Sequence, residues 1–321
     1  MRVLVTGAGG FVGGHLVEFL RAEHPDWEIH GVVLPRAGIS WSGAAGLNVL
    51  EADLDDPPAA AGVLDAVRPD RIVHLAGQSS VHLSWLDPGG TLRTNVLGIV
   101  HVLDAARDRG LRPAVLVVGS AEEYGMVDPS EIPIRETTPL RPSSPYAVSK
   151  VAQGALALLY GPAGGMRVVL TRTFHHTGPG RGEAFAESSF ARQLAEVERG
   201  LRPPVLQVGN LEAVRDFADV RDVVRAYWAL LEHGEAGGVY NVCSGRGRPI
   251  RELLDLLLSA SGARVEVRID PARLRPADVP VLVGDCARLR AATGWAPAIP
   301  LERTLRELLD DWRERIAAGA R

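Results

Sequence analysis

The chain is poor in lysine, cysteine and aromatic side chains, and it contains no long apolar run. Its two cysteines, Cys243 and Cys286, are too few for a disulfide framework and lack the spacing of metal ligands. No apolar run approaches the length that crosses a bilayer, and Met1 leads into the first apolar segment without a signal peptide. We therefore expect a soluble, cytoplasmic protein from a reducing compartment, with no membrane partner.

The overall charge excludes a further class of partner. A net charge of -4 offers no general surface for polyanions, so no nucleic-acid partner is expected. Local arginine pockets for a phosphorylated ligand stay compatible with this charge. With 321 residues, of which 46% are hydrophobic, the chain can bury a large core and form two lobes.

The one lysine that is present stands in a distinctive position. Lys150 is the only lysine among 35 basic residues, and it follows Tyr146 by four positions. On a helix the two side chains share a face one turn apart, so the ammonium can lie near the phenol. That charge is expected to lower a tyrosine pKa from its usual value of about 10. A tyrosine tuned in this way exchanges a proton with a carbonyl or carbinol near neutral pH.

A glycine-rich turn follows the first apolar segment, residues 2–6, and precedes an amphipathic helix. Its glycines recur every three residues. They permit a tight turn, the approach of bare backbone to a pyrophosphate, and close packing of the helix on the strand. The strand before the turn and the helix after it are the context that a dinucleotide site requires. The expected cofactor-binding residues of this turn are Gly7, Gly10, Phe11, Val12 and Gly13.

Apolar strand-like segments alternate with helical stretches through the first half of the chain. This order predicts right-handed β-α-β units, a parallel sheet covered by helices on both faces, and a Rossmann-type doubly wound α/β fold. Ligands of such sheets bind at the carboxyl ends of the strands. The expected strands are 2–6, 28–33, 48–51, 71–75, 114–118 and 167–171, and the expected helices lie near 13–22, 58–67, 91–109 and 145–160.

From Phe174 onward the sequence changes to loops rich in glycine, proline and arginine, and residues 238–242 are expected to return to the sheet as a strand. We therefore expect a dinucleotide-binding domain and a smaller C-terminal substrate-binding lobe. The domain comprises residues 1–173 with 214–243 returning to it, and the lobe comprises 174–213 and 244–321. Helices of this second half are expected near 183–199, 219–233, 249–261 and 301–316.

Five motifs occur in the order and spacing of a known family. They are residues 6–13, 74–77, Asn95, 120–125 and the pair Tyr146 and Lys150. The chain resembles, almost end to end, the extended short-chain dehydrogenase/reductases, which include nucleotide-sugar epimerases, dehydratases and reductases. Segments 209–217 and 274–279 resemble the substrate segments of the branch that acts on GDP-mannose derivatives. The resemblance implies an NAD(P)-dependent oxidoreductase of a nucleotide sugar.

The resemblance also implies a reaction, reduction of the C4 ketone of GDP-4-keto-6-deoxy-D-mannose to a GDP-6-deoxy-hexose such as GDP-D-rhamnose. Tyr146 would protonate the C4 oxygen, Lys150 would hold the nicotinamide ribose, and Ser120 would hydrogen-bond the same oxygen. Glu122 matches a glutamate that removes a proton beside the ketone in related 4,6-dehydratases, so a GDP-mannose 4,6-dehydratase, or another nucleotide-sugar epimerase or dehydratase, is an alternative. Loop 7–13 lacks the Gln-Asp pair of those dehydratases and favours the reductase. A nucleotide-binding regulator without chemistry is a remote alternative, because such proteins tend to lose the tyrosine or the lysine.

The segment after the second expected strand bears on the choice of cofactor. An acidic residue there binds the ribose hydroxyls of NAD, whereas an arginine accepts the extra phosphate of NADP. Residues 32–36 contain Arg36 and no acid. We therefore expect NADP(H) to be preferred and NAD(H) to be accepted. The resemblance adds Asp53 and Leu54 as adenine contacts, and Leu75, Ala76, Gly77 and Asn95 as further cofactor-binding residues.

Two arginines lie in the segments that resemble GDP-sugar-binding loops. Arg215 and Arg275 are expected to bind the diphosphate, since a forked guanidinium suits it better than an ammonium. Asp278 takes the place of a usual glutamate and is expected to accept hydrogen bonds from guanine or ribose. His175 replaces a common asparagine that contacts the substrate. Because His175 and His176 have no nearby third ligand in the sequence, no metal is expected.

The helices expected at 91–109 and 145–160 carry small and apolar residues. In relatives the corresponding helices pack against their twins as a four-helix dimer interface, so the resemblance implies a homodimer. Ordinary core packing is the alternative, and it must hold for one face of each helix. The residues concerned are Val96, Ile99, Leu103, Val151, Ala155 and Leu159.

Overall fold

In the part of the chain that the structure describes, seven parallel strands form the central sheet. The computed structural model describes residues 1–35, 47–274 and 279–319, so the predicted site residues Arg36, Arg275 and Asp278 lie outside the described residues. The first six strands are β1 (Arg2–Thr6), β2 (Glu28–Val33), β3 (Asn48–Glu51), β4 (Arg71–His74), β5 (Ala114–Ser120) and β6 (Arg167–Thr173), and the seventh is Val239–Val242.

The order of these strands across the sheet creates a ligand crevice. It runs Val239–Val242, β6, β5, β4, β1, β2, β3, so the chain moves outward from β1, crosses back to β4 and moves outward again. Such a reversal leaves a crevice at the carboxyl ends of the two central strands. Gly7 follows β1 and Leu75 follows β4, which places both predicted cofactor loops at this crevice. The Rossmann-type fold predicted from the sequence is confirmed.

Helices cover both faces of the sheet because its strands are apolar on both sides. In β1, Val3 and Val5 enter one buried cluster and Leu4 enters the other, as the alternation of side chains along a strand requires. The helices are α1 (Phe11–Glu23), α2 (Pro57–Val67), α3 (Val81–Leu86), α4 (Pro88–Leu92), α5 (Gly98–Asp108), α6 (Pro145–Gly164), α7 (Ala186–Glu198), α8 (Val220–His233), α9 (Ile250–Ser261), α10 (Ala287–Thr293) and α11 (Leu301–Ala317). Helices α1 and α8 cover one face, and α2, α5 and α6 cover the other. Within the three described ranges, no helix has the length and apolarity needed to cross a membrane.

The segment 91–109 differs from the single helix that the sequence predicts. Helix α4 ends at Leu92, a π-helical turn spans Arg93–Leu97, and α5 begins at Gly98. A π turn accommodates an extra residue and is frequent at functional sites. Here it contains the buried Asn95, whose side chain joins the loop after β4 to α6. Hydrophobic periodicity alone does not reveal such an insertion.

The described residues of the second half of the chain form two small sheets and a layer of helices. Its strands are β7 (His175–Thr177), β8 (Val205–Val208), β9 (Val214–Asp219), β10 (Val239–Val242), β11 (Gly247–Pro249), β12 (Glu266–Ile269) and β13 (Val281–Leu282). Strand β9 pairs with β7, β11 and β13, and β8 pairs with β12. Helices α7, α9 and α11 enclose a third apolar cluster that includes Phe190, Leu253 and Leu308.

The return of the chain to the central sheet begins later than residue 214. Strand β9 belongs to a small sheet, whereas α8 packs on the central sheet and β10 pairs with β6. Asp219 ends β9 and caps α8 by accepting the Arg221 backbone N–H at 2.8 Å. The turn between the two environments therefore lies at Asp219. The wider division into a cofactor domain and a substrate lobe stays a prediction.

Candidate active site

The glycine turn brings bare backbone against the neighbouring loop. Gly7 has a φ of 69°, in the left-handed region that favours glycine, and a Cβ there would lie 2.8 Å from the Ala76 backbone nitrogen. A Cβ on Gly13 would overlap the Gly7 carbonyl oxygen. Gly10 caps α1, whose first residue is Phe11. Backbone N–H groups at this helix start fit a pyrophosphate, which needs such donors and close access.

Thr6 holds the second loop of the crevice. Its Oγ1 accepts the backbone N–H groups of Leu75 at 3.2 Å and Ala76 at 3.1 Å, and it also bonds His74 Nδ1 at 3.0 Å. Burial lowers the pKa of His74 to about 3, so the ring is neutral and its Nδ1 accepts the threonine proton. One hydroxyl therefore fixes both predicted cofactor residues. Sequence reasoning missed Thr6, because a threonine at a strand end is common.

Asn95 connects this loop to α6. Its Oδ1 accepts the Gln78 backbone N–H at 2.7 Å, while its Nδ2 donates to the Gln78 carbonyl at 3.0 Å and to Ser149 Oγ at 2.8 Å. The Ser149 hydroxyl in turn donates to the Tyr146 carbonyl at 2.7 Å. A Cβ on Gly77 would lie 2.8 Å from Asn95 Oδ1, so the loop approaches closely where only glycine fits. The amide thus fixes the loop relative to the helix that carries Tyr146 and Lys150.

The start of α6 sets the positions of Tyr146 and Lys150. Ser144 Oγ accepts the Ala147 backbone N–H at 3.1 Å, and Pro145 occupies the first helical position, where its missing N–H has no cost. Tyr146 follows at once, and Lys150 lies one turn later on the same face. Both side chains are buried, with 8% and 7% of their surfaces exposed. The shared face predicted from the sequence is therefore present.

The Lys150 ammonium bonds to the protein interior. Its Nζ donates to the Val118 carbonyl at 3.0 Å and to Gln153 Oε1 at 2.9 Å. Burial lowers the pKa of Lys150 to about 8, and the charge of Glu123 opposes that shift. A Cβ on Gly77 would lie 3.7 Å from the Nζ atom, so the ammonium also borders the predicted cofactor loop. The Lys150 ammonium thus lies between strand β5 and the loop that follows β4.

The predicted fall in the pKa of Tyr146 is wrong for this structure. Burial raises the pKa of Tyr146 to about 12, against a hydrogen bond with Ser120 that lowers it. Glu122 and Glu123 raise it further, and the cation that lowers it is Arg181. Desolvation disfavours the phenolate, and it outweighs the opposing cation. The phenol is therefore protonated at neutral pH.

Ser120 and the two glutamates after it form a compact turn at the end of β5. Ser120 Oγ accepts the Glu122 backbone N–H at 3.2 Å, and Glu123 Oε1 accepts the Ser120 backbone N–H at 2.8 Å. This reciprocal pair is a capping box, which fixes the serine at the start of a short helical turn. Ser120 also lowers the pKa of Tyr146, so these two predicted groups lie close together. Glu122 is half-buried beside them.

Asp53 and Leu54 occupy different environments. Asp53 is exposed, and its Oδ1 accepts the Asp55 backbone N–H at 3.0 Å. Leu54 is buried in the apolar cluster between α2 and α5, so its side chain contributes to the core. Asp56 occupies the N-cap position of α2, so Asp53 is not the cap of that helix. Their contact with adenine stays a prediction.

The second half of the chain contributes the predicted substrate residues His175 and Arg215, and two residues, His176 and Arg181, to which sequence reasoning gave no binding role. His175 is half-buried, with its ring 5.4 Å from that of Phe217. Arg215 is buried and donates through Nη1 to the carbonyls of Val214 at 3.0 Å and Pro280 at 3.4 Å. Across residues 1–35, 47–274 and 279–319, no group of three or more His, Cys, Asp or Glu side chains is arranged to hold a metal ion.

The two additional residues contact the glycine turn. The His176 ring stacks on Phe11 with centroids 6.1 Å apart, and burial lowers the pKa of this histidine to about 4. The Arg181 guanidinium lies 4.9 Å from the centroid of the same Phe11 ring and pairs with Glu187 at 3.7 Å. These contacts join the second half of the chain to the glycine turn. The histidine pair and the arginine were visible in the sequence, but their proximity to Phe11 depends on the fold.

Comparisons with known proteins agree with this geometry. The family model described as GDP-mannose 4,6 dehydratase matches residues 4–308. The chain is 41% identical over 315 residues to the GDP-6-deoxy-D-mannose reductase of Pseudomonas aeruginosa, covering 98% of each sequence. It is 31% identical over 326 residues to GDP-mannose 4,6 dehydratase 2 of Arabidopsis thaliana, covering 96% of this chain and 86% of that protein.

Solved structures give the same relationship. The structure of RMD from Pseudomonas aeruginosa complexed with NADPH matches with a TM-score of 0.87 at 39% identity, covering 98% of this chain and 100% of that one. The Thermus thermophilus UDP-glucose 4-epimerase complex with NAD matches with a TM-score of 0.86 at 32% identity, covering 98% and 99%. The chain therefore belongs to the GDP-mannose 4,6-dehydratase family, within the extended short-chain dehydrogenase/reductases.

Proposed function

We propose that this protein is an NADPH-dependent reductase of the C4 ketone of GDP-4-keto-6-deoxy-D-mannose, with GDP-D-rhamnose as product. The observation that carries the proposal is the grouping of Ser120, Tyr146 and Lys150, with Lys150 next to Gly77 in the loop after β4, in a chain similar over its length to a GDP-6-deoxy-D-mannose reductase. The cytoplasmic location predicted from the sequence is part of the same proposal.

Tyr146, Ser120 and Lys150 have separate roles in the proposed reaction. When bound, NADPH supplies the hydride that reaches C4. Tyr146 Oη donates a proton to the C4 oxygen, so the ketone gains one hydride and one proton and becomes a secondary alcohol. Ser120 Oγ holds that oxygen in line with the phenol, whose pKa Ser120 lowers in the free protein. Lys150 places a positive charge next to the cofactor loop, where it can bind ribose hydroxyls and favour developing negative charge on the phenol.

The cofactor proposal rests on the backbone of the two loops. The left-handed turn at Gly7, the contact of Gly13 with that turn and the start of α1 provide a close N–H surface for a dinucleotide pyrophosphate. NADP(H) is preferred because Arg36, with no acid beside it, suits a 2′-phosphate. Binding of NADPH by one structural neighbour and of NAD by another supports acceptance of both.

The substrate lobe, residues 174–213 and 244–321, is proposed to hold the GDP-sugar together with β9. Arg215 lies in β9, where pairing with three neighbouring strands limits its movement. We propose that Arg215 and Arg275 bind the diphosphate and that Asp278 and His175 contact the nucleoside and the sugar. A buried arginine anchored on two carbonyl oxygens presents its fork in one orientation, which suits a diphosphate.

Replacement of Arg215 by alanine is expected to weaken GDP binding by about 10- to 100-fold, because hydrogen bonds to a charged group are lost. NADPH affinity should stay unchanged, and titration calorimetry with each ligand measures both. Arg251→Ala is the matched control, since Arg251 is exposed and pairs with Glu212 on the surface. A larger loss for NADPH than for GDP would remove Arg215 from the substrate site.

A direct assay tests the proposed reaction. The purified protein, supplied with GDP-4-keto-6-deoxy-D-mannose and NADPH, should consume one reduced nicotinamide for each sugar converted. Loss of absorbance of the reduced nicotinamide follows the reaction, and NMR of the product determines the configuration at C4. Failure to oxidise NADPH with this substrate would reject the reductase.

The second candidate function is a GDP-mannose 4,6-dehydratase, which Glu122 favours. Its carboxylate lies close enough to Tyr146 to raise the pKa of the phenol, where a base for the proton beside the ketone is needed. Such an enzyme retains its nicotinamide through the cycle and needs no external reductant. Conversion of GDP-mannose without added NADPH would establish this alternative in place of the reductase.

A homodimer is proposed through an exposed apolar face on α6 and the helices beside it. Val96, Ile99 and Leu103 are buried within the protein, so these three of the predicted interface residues serve the core. We propose that this face is formed by the exposed apolar side chains of these contacting helices, which are Leu83, Trp85, Leu86, Leu92, Leu97, Val148, Leu156 and Leu159. An apolar surface of this kind is typical of a protein contact, and a second copy presents the same face.

The double substitution Leu156→Asp and Leu159→Asp is expected to convert the dimer to a monomer, because charges on the apolar face oppose its burial. Analytical ultracentrifugation gives the mass of each form. Leu201→Asp serves as control, since Leu201 is 66% exposed and lies outside this face. A monomeric wild-type protein at micromolar concentration would contradict the proposal.

A further inference from the structure

Glu123 is a buried carboxylate that the proposed reaction does not yet use. It is 5% exposed. Its Oε1 accepts the Ser120 backbone N–H at 2.8 Å, and its Oε2 accepts Arg172 Nε at 3.0 Å. Burial raises the pKa of Glu123, while both of these donors lower it. Since each oxygen accepts an N–H and neither donates, the side chain has the bonding of an ionised carboxylate.

Lys150 lines the same small cavity as Glu123. Glu123, Lys150, Gln153 and Arg172 line one small cavity that also borders β5 and β6. Lys150 Nζ donates to Gln153 Oε1, and Gln153 Nε2 is buried without a hydrogen-bond partner in the described part of the chain. A Cβ on Gly119 would overlap Glu123 Oε1, so the carboxylate is pressed against the strand on which Lys150 also bonds. Both charges thus share one desolvated space.

The charges around Lys150 come from several elements. Arg172 on β6 is held by Glu123, by the Tyr124 hydroxyl at 3.2 Å and by the Glu136 carbonyl at 3.1 Å. His74, the last residue of β4, is neutral. On the cleft side, Tyr146 is protonated, and Glu122 and Arg181 act on that phenol. Of the groups in the described residues, Glu123 is the one whose charge raises the pKa of Lys150.

We propose that Glu123 is a positioning residue of the reaction, fixing the Ser120 backbone through one oxygen and providing the buried counter-charge of the Lys150 ammonium. Arg172 holds the carboxylate in place from the opposite side. The effect on turnover rests on the proposed reductase function, whereas the charge balance is a property of the free protein. The Glu123 carboxylate would therefore couple Ser120, which orients the ketone oxygen, to the Lys150 ammonium, which borders the cofactor loop.

The charge balance can be measured directly because the chain has a single lysine. Protein labelled with ¹³Cε-lysine, without added lysines, gives one side-chain NMR signal, and its chemical shift follows the ionisation of Lys150. In the wild type the signal should titrate near pH 8, with the ammonium present below that pH and lost above it. Glu123→Gln should move the midpoint down by about 1 unit or more, since an opposite charge no longer favours the ammonium.

Glu136→Gln is the matched control. Glu136 belongs to the same network, where its Oε1 accepts the Asn241 backbone N–H at 2.8 Å, but it does not act on Lys150. The same chemical change there should leave the lysine midpoint in place. An unchanged midpoint in Glu123→Gln, or an equal fall in both variants, would overturn the proposal.

Two further variants keep the test decisive. Where Glu123→Gln alone does not fold, because Arg172 loses its partner, the double variant Glu123→Gln with Arg172→Gln removes both charges and should still show a lowered lysine midpoint. Glu123→Asp keeps the charge but shortens the side chain, so the midpoint should stay near that of the wild type. Its kcat should fall by about 10- to 100-fold as Ser120 loses its support. Wild-type kcat in Glu123→Asp would overturn the positioning role, and a wild-type protein inactive on the keto sugar would reject the reductase while leaving the titration valid.

Discussion

Replacement of Tyr146 by phenylalanine is expected to lower kcat by about 10²–10⁴-fold, because the proton donor to the C4 oxygen is lost. The ring stays buried in α6, so the fold and NADPH affinity should be retained. Steady-state kinetics with GDP-4-keto-6-deoxy-D-mannose, together with calorimetric titration of NADPH, separates loss of chemistry from loss of binding.

Tyr160→Phe is the matched control for this prediction. Tyr160 lies on the same helix, and its hydroxyl bonds Asp104 at 2.8 Å, away from the crevice. The same removal of a hydroxyl there should leave kcat unchanged. Equal turnover of Tyr146→Phe and the wild type would exclude Tyr146 as the proton donor and would reject the proposed mechanism.

Replacement of Lys150 by arginine is expected to lower kcat/KM by about 10²-fold or more, although the positive charge is kept. Lys150 Nζ fits between the Val118 carbonyl and Gln153 Oε1 in a buried site. A planar guanidinium is larger, has five donors in a fixed fork and cannot occupy that point without displacing its neighbours. NADPH affinity should fall as well, since Lys150 borders the cofactor loop.

Arg107→Lys provides the reverse exchange at an exposed position, where Arg107 pairs with Asp104 on the surface. That variant should match the wild type in kcat/KM and in NADPH affinity. A fully active Lys150→Arg protein would mean that any cation suffices at this position. The selective use of one lysine in an arginine-rich chain would then have no functional basis.

The raised pKa of Tyr146 fits the direction of the proposed reaction. Reduction requires a donor that still holds its proton when the ketone binds, and a phenol with a pKa of about 12 is fully protonated at neutral pH. The Arg181 guanidinium, whose charge lowers the pKa of Tyr146, can then stabilise the phenolate as negative charge develops during transfer. Burial therefore raises the pKa of the Tyr146 hydroxyl, whereas the charge of Arg181 lowers it. Helical spacing between Tyr146 and Lys150 indicated that the two residues are close, but it did not indicate how far the phenol is desolvated.

The cofactor half of the fold was predictable because its interactions are local. Strand β1, the glycine turn and α1 follow one another directly, and each requires particular residue types over a short range. Strand β13 shows the opposite case, with only Val281 and Leu282 paired to β9. A two-residue strand has no periodicity, and its partner lies far away in the sequence. The small sheets of the second half were therefore missed.

The candidate site also contains residues that the sequence predicted and contacts that it did not. Ser120, Tyr146 and Lys150 were identified from the sequence because their motifs have fixed spacing. The contact of Arg181 with Phe11 and the shared cavity of Glu123 and Lys150 were not, because each joins residues from separate elements. The Ser-x-x-Glu spacing of Ser120 and Glu123 did offer a local signal for the capping box.

The sequence alone determined the Rossmann-type fold, the family and the chemical type of the central residues, since these depend on periodicity, glycine geometry and short motifs. Only the tertiary structure decided the ionisation of the site. It buried Tyr146 and Lys150, placed Arg181 near the phenol and put Glu123 behind the ammonium. The physical reason is that a pKa depends on desolvation and on charges from distant parts of the chain, which converge only when the chain folds.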